Sequence, residues 1–279
     1  GVSQKKVEAA STGKLSVTGY QDYSDAQKIL KEVNKYRKKN GRKALKMDRG
    51  LTNSAIMRGF ETTIYIPETS PHRRPNGKLS KSINKKIIYE NCAQSAGTTP
   101  KQIVKGWINS STHRKGLLLS NAKSVGVAAV TVVSRDGYEA NTWVLDFSSS
   151  KAKKVEKSKA RKQFTKNIVT KNSYLKKSYL KLDSRYGTIW ETEKMQMKPT
   201  YQGKMMKEYG VYPTVINASS FTSWKSSNPS VASVDSNGRI TGNKAGTATI
   251  SAKLKTGTKI TISKKIKVVP TNQQIDPWE

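Results

Sequence analysis

Val125-Gly126-Val127-Ala128-Ala129-Val130-Thr131-Val132-Val133 reads as a buried strand. Arg135-Asp136-Gly137 then supplies a turn into a second strand from Tyr138 to Phe147. Upstream the period changes. Ile29, Leu30, Val33 and Tyr36 recur at helical spacing, with Ser24 as N-cap, Asp25 in the first turn and Gly41 as C-cap. A second helix is expected from Arg49 to about Tyr65, with Leu51, Ala55, Ile56, Gly59 and Phe60 on its inner face and Pro67 ending it. A third covers Pro100 to Asn109, capped by Thr99 and striped by Ile103, Val104 and Trp107. Helices first and a hairpin last imply an α+β domain, with helices packed on an antiparallel sheet.

The 279 residues suffice for two domains, and 34% hydrophobic with 25% charged residues lies in the soluble range. No apolar run approaches the roughly 20 residues that span a bilayer, so the chain is not expected to be transmembrane. Gly1 to Gly19 lacks the apolar centre of a signal peptide, so a secreted protein would be present here in mature or trimmed form. The single Cys92 excludes an intramolecular disulfide and reads as a small buried hydrophobe, with no adjacent cation to stabilise a thiolate. Net charge is +33, and the excess is global: residues 1–150 carry 26 basic and 11 acidic side chains, residues 151–279 carry 26 and 8. Such a field draws the chain to anionic cell-wall or host-surface polymers in a salt-dependent way. No basic module with interleaved aromatics is evident, so no specific nucleic-acid partner is expected.

Both histidines, His72 and His113, fall between Ser70 and Leu118, with Glu90 between them in Ile87-Ile88-Tyr89-Glu90-Asn91-Cys92-Ala93. Two imidazoles and a carboxylate are the minimum set for a metal or acid/base site. Each histidine could equally serve only as a hydrogen-bonding group at a loop end.

These residues carry a resemblance. Val33-Asn34-Lys35-Tyr36-Arg37 with Asn40-Gly41, His72-Arg73-Arg74-Pro75-Asn76-Gly77, Glu90-Asn91, Trp107-Ile108-Asn109-Ser110 leading to His113-Arg114, Val125-Gly126-Val127-Ala128 and Trp143-Val144-Leu145-Asp146-Phe147 stand in the order found in the CAP (SCP/TAPS) superfamily. The segment from Tyr23 to Ser149 resembles its bacterial branch. The resemblance implies an α-β-α sandwich with an open cleft, which some members use to bind a divalent metal such as zinc. His72 and His113 match the two family histidines, and Glu90 matches the glutamate followed by Asn. A second family glutamate falls on Ser110, a neutral hydroxyl, which lowers the expected metal affinity. The expected set is therefore His72 and His113 for the metal, Glu90 for proton transfer or ligand orientation, and Ser110, Asn91 and Arg114 along the cleft.

Residues 1–22 are expected to form a tail, 23–149 the CAP domain and 150–164 a solvated basic linker rich in lysine. From Phe164 the pattern turns to short strands: Tyr179–Leu182, Thr188–Met197, Val211–Ile216 and Phe221–Trp224. Trp224 to Ala252, with a type I′ turn expected at Asn237-Gly238, resembles the group 2 bacterial immunoglobulin-like domain of surface proteins. A β-sandwich is expected over 165–270 and a second tail over 271–279. The expected protein is extracellular, either secreted or cell-wall associated. Its cleft would take a lipid, peptide or glycan and weakly hold a divalent cation, with the Ig-like domain as spacer or adhesion module. The alternative is a zinc-dependent, peptidase-like hydrolase using His72, His113 and Glu90.

Overall fold

A computed structural model of the chain describes residues 11–65, 72–95 and 97–276. The chain divides into two compact units: Val17–Ile168 with Tyr201–Val215, and Val169–Thr200 with Ile216–Glu279 and the residues up to Ser16.

The elements of the first unit run β1 (Thr12–Asp22), α1 (Tyr23–Lys39), β2 (Lys46–Met47), α2 (Arg49–Ile64), β3 (Ile87–Ser95), α3 (Pro100–Ile108), α4 (Ser111–Leu117), β4 (Ser124–Val133), β5 (Glu139–Ser148) and β6 (Arg161–Lys171). The sheet order is β3-β5-β4-β1-β6, with β2 pairing parallel to β4. Both faces are covered. Val125, Val127 and Ala129 of β4, with Trp143, Leu145 and Phe147 of β5, share a core with Ala26, Ile29 and Val33 of α1, Ile103, Val104 and Trp107 of α3, and Leu117 of α4. The alternate residues face α2. A β-carbon at Gly59 would lie 2.9 Å from Val130, and one at Gly126 only 2.1 Å from the Leu51 carbonyl oxygen. A strand buried on both sides has no polar alternation, so residues 125–133 read as one apolar run. The result is a three-layer α-β-α sandwich.

Local sequence sets the helix ends. Asp22, rather than Ser24, caps α1, its Oδ1 accepting from the Asp25 N–H at 2.9 Å. The other end closes with Gly41 at φ 69°: its N–H donates to Lys38 O, and that of Arg42 donates to Arg37 O, a Schellman motif. Asp48 caps α2, and Thr99 with Gln102 forms a capping box on α3 with Pro100 in its first turn. Arg37, fully buried, donates to the carbonyls of Lys43, Leu117 and Leu119, fixing the end of α4 against α1.

Two expectations about these segments change. Thr12–Asp22 is a strand, not a tail, because Leu15 and Val17 are fully buried. The basic run at 150–164 is not a free linker. Asp48 Oδ1 accepts from the Lys153 N–H at 2.9 Å, the buried Glu156 pairs with Arg49 Nε at 2.8 Å, and β6 begins at Arg161. Ile87–Ser95 is an edge strand that its short apolar run alone did not assign. The end of α2 is seen at Ile64, while Pro67 lies outside the described residues.

The later strands are β7 (Leu180–Asp183), β8 (Thr188–Trp190), β9 (Lys194–Gln196), β10 (Lys198–Tyr201), β11 (Thr214–Val215), β12 (Phe221–Ser226), β13 (Ala232–Val234), β14 (Arg239–Gly242), β15 (Gly246–Leu254) and β16 (Thr261–Val269). In the second unit, one sheet has the order β12-β15-β16-β8 and another pairs β13, β14 and β9. Ile250, Ile266, Ile240 and Ala248 lie in its interior, as a β-sandwich requires. The turn at Asn237-Gly238 is not type I′. Gly238 alone has positive φ, 73°, and donates to Asp235 O, while Asp235 Oδ1 accepts from the Asn237 and Arg239 N–H groups. The aspartate thereby converts the two-residue loop into a three-residue one.

Candidate functional site

The site is built on the edge strand β3. Because side chains alternate along a strand, Glu90 and Cys92 face the α2 side while Asn91 faces α4. Cross-strand register places Glu90 opposite Asp146 on β5, and Asp146 opposite Gly126 on β4. A carboxyl pair thus lies in one row beneath α2.

From α2, the fully buried Arg58 closes on Glu90 with two bonds, Nε to Oε2 and Nη2 to Oε1, each 3.1 Å. Its Nη1 donates to Glu61 Oε1 at 3.1 Å, and Glu61 in turn accepts from Arg74 Nε. His72 sits on the solvent side with its Nδ1 3.0 Å from Glu90 Oε1, and the Cys92 thiol donates to the same oxygen at 3.2 Å. The His72, Glu90 and Cys92 ligand atoms all lie within 4.8 Å of one another, a group that could hold a metal ion.

Electrostatics assigns the charges. Burial pushes the Glu90 carboxyl up, but the His72 hydrogen bond and the Arg58 charge overcome it, holding Glu90 down at about 2. Asp146 goes the other way. It is fully buried, neither of its oxygens receives a hydrogen bond, and burial first, then the charge of Glu90, push its carboxyl well above the usual range. Both effects favour the protonated form of Asp146 beside the charged Glu90. Arg58 and the partly exposed Arg74 stand against Glu90 and Glu61, so the cations and anions of this cluster offset one another. Burial likewise pushes the Cys92 thiol well up, so it is a donor and not a thiolate.

His113 arrives from the opposite layer. Its Nδ1 bonds Ser110 Oγ at 2.9 Å, and burial, followed by the charge of His72, lowers its pKa. The Nδ1 atom of each ring is thus held by a neighbour, Glu90 for His72 and Ser110 for His113. Asn91 is fully buried and does not line a surface: its Nδ2 donates to the His113 carbonyl at 2.9 Å and so positions α4. Arg114 is turned to α3, donating from Nη1 to Ile108 O at 3.0 Å, because the exposed carbonyls of a helix end attract a guanidinium. Ser110 stands as expected beside His113. Cys92 is more than an apolar filler, since its thiol bonds Glu90. Arg58, Glu61, Arg74 and Asp146 were not expected at the site; Arg58-x-x-Glu61 on the inward face of an apolar helix, and Asp146 inside an apolar strand, are the signals that mark them.

Residues 30–147 match the family model described as the cysteine-rich secretory protein family, CAP, and residues 196–266 match that of the bacterial Ig-like domain, group 2. The chain carries a CAP domain followed by a bacterial Ig-like domain. A curated relative, the uncharacterized protein YkwD of Bacillus subtilis, is 31% identical over 130 residues, covering 45% of this chain and 48% of the relative. The chain thus spans about half the length of that relative. Among solved structures, an outer surface protein of Borrelia burgdorferi is 19% identical with a TM-score of 0.35, covering 46% of this chain and 93% of that one. An extracellular SCP-domain protein of Bacillus anthracis is 21% identical with a TM-score of 0.35, covering 46% and 41%.

Proposed function

We propose that the chain is an extracellular, cell-wall-associated binding protein whose CAP domain receives a lipid, peptide or glycan at His72 and His113. The observation that carries this is the commitment of Glu90. A general base needs a free lone pair and a pKa near working pH. Glu90 has both oxygens bonded to Arg58, one also to His72 and Cys92, and a pKa of about 2. That supports a binding role over the hydrolytic alternative. Glu90 orients His72, and Ser110 orients His113.

A divalent ion such as zinc would be held by the imidazoles of His72 and His113, with positions left open to solvent or ligand. Bound there, it would supply a Lewis-acid contact to a ligand oxygen. Two neutral ligands under a strongly positive surface hold it only on the order of micromolar or weaker. The high positive charge and the tandem surface-type domains support a wall-associated location. The test incubates purified protein with a peptide library, with and without zinc, beside Glu90→Gln. No turnover is expected from either protein. Zinc-dependent cleavage lost in Glu90→Gln would establish the hydrolase instead.

A further inference from the structure

Ser173-Tyr174-Leu175-Lys176-Lys177 is followed at once by Ser178-Tyr179-Leu180-Lys181-Leu182, a five-residue unit repeated in tandem ahead of the matched Ig-like segment. The structure treats the copies alike. Each tyrosine ends a short 3-10 turn, Asn172–Tyr174 and Lys177–Tyr179. Each leucine is an anchor, Leu175 and Leu180 both being buried. Each ring carries the ammonium of the lysine three residues before it: Lys171 Nζ lies 5.8 Å from the Tyr174 centroid, and Lys176 Nζ 5.5 Å from that of Tyr179. Arg185 over Tyr186, at 5.3 Å, adds a third pair.

The buried leucines account for the turns, but they do not require cations at the same phase. Lys171, Lys176, Lys177, Lys181 and Arg185 are all exposed. The single acid of this segment, Asp183, is buried and accepts from Thr200 Oγ1 at 3.1 Å. Among the described residues no carboxylate pairs with any of the five cations. Five exposed cations within 15 residues repel one another, and an anionic chain relieves that repulsion.

We propose that this tandem Lys–Tyr segment binds an acidic polysaccharide whose carboxylate or sulfate groups recur along its length. The aromatic face holds each ammonium in place, so less rotamer freedom is lost on contact than from a free lysine. Nucleic acid fits less well, because a base would have to displace the ammonium from a ring before stacking on it. The segment lies outside the CAP domain, so the proposal stands or falls apart from the histidine site.

The full chain is titrated with fluorescent heparin and polygalacturonate over a salt series, beside a single-stranded oligonucleotide of equal charge. Lys171→Gln/Lys176→Gln/Lys181→Gln is expected to weaken glycan binding at least about tenfold and to reduce the salt slope by about three. The control Lys244→Gln/Lys253→Gln/Lys255→Gln removes the same charge from exposed sites in the same unit and is expected to cost under about threefold. Tyr174→Leu/Tyr179→Leu, with charge intact, is expected to weaken binding severalfold, while the Phe pair retains it. Thermal melts confirm folding. Equal loss in the two lysine triples, or tighter binding of the oligonucleotide than of both glycans, overturns the proposal.

Discussion

Glu90 and Asp146 face each other across the β3–β5 ladder, both buried, and their carboxyl pKa values are pushed in opposite directions, Glu90 down and Asp146 up. The asymmetry comes from His72 and Arg58, which bond Glu90 with the imidazole and two guanidinium nitrogens, while neither oxygen of Asp146 is paired. Like charges in one dry row oppose each other's ionisation, and the partners of Glu90 favour its charged form.

The pair sets opposite pH dependences. Glu90 is depressed in the fold, so the stability it contributes is present above about 4.5, the ordinary value, and is lost as pH falls toward about 2. Asp146 is raised, so its ionisation in the unfolded chain draws stability away as pH rises above the ordinary value of 3.8. Asp146→Asn removes that second effect. Urea unfolding is expected to show the variant gaining on the parent between pH 4 and 7; a constant difference across that range would mean that Asp146 is ionised in the fold.

Arg58 is worth more than either acid alone. Arg58→Met leaves Glu90 and Glu61 without their buried counter-charge and should cost about 3–5 kcal/mol. The midpoint of chemical denaturation reads this directly. A loss under about 1 kcal/mol would place the charge balance elsewhere.

Zinc calorimetry separates two ligand sets. If the imidazoles hold the ion, His113→Ala abolishes uptake and Cys92→Ser leaves it unchanged, because the thiol is held protonated. If the group of His72, Glu90 and Cys92 holds it, the outcomes exchange.

Two glycines give contrasting outcomes. Gly126→Ala drives a methyl into the Leu51 carbonyl, a main-chain clash expected to cost about 3 kcal/mol or more, whereas Gly106→Ala, with nothing within 4 Å in α3, should stabilise by roughly 0.5–1 kcal/mol. Thermal unfolding of the two variants checks the pair.

Period and caps made much of the fold legible. Thr99-Pro100 marked the start of α3 to the residue, and residues 125–133 with Arg135-Asp136-Gly137 marked the central hairpin. The histidines and Glu90 were likewise visible as a candidate set. Their arrangement was not. Adjacent residues on a strand point to opposite layers, so Glu90 reaches His72 while Asn91 reaches the backbone of His113. Until β3 was recognised as a strand, that division had no basis. Arg58 and Glu61 were hidden for another reason: a helix buried by an ion cluster looks, in its apolar spacing alone, like a helix with one polar side.

Helix α2 rests on β4 at two glycines, Gly126 against the Leu51 main chain and Gly59 against the Val130 side chain, and Arg58 is the neighbour of Gly59. Its height above the carboxyl row is therefore dictated by a main-chain contact at Gly126 and by the absence of a side chain at Gly59. Changes in ligand preference are therefore expected in the loop that carries His72 and the turn before α4 that carries Ser110, while the foundation stays as it is.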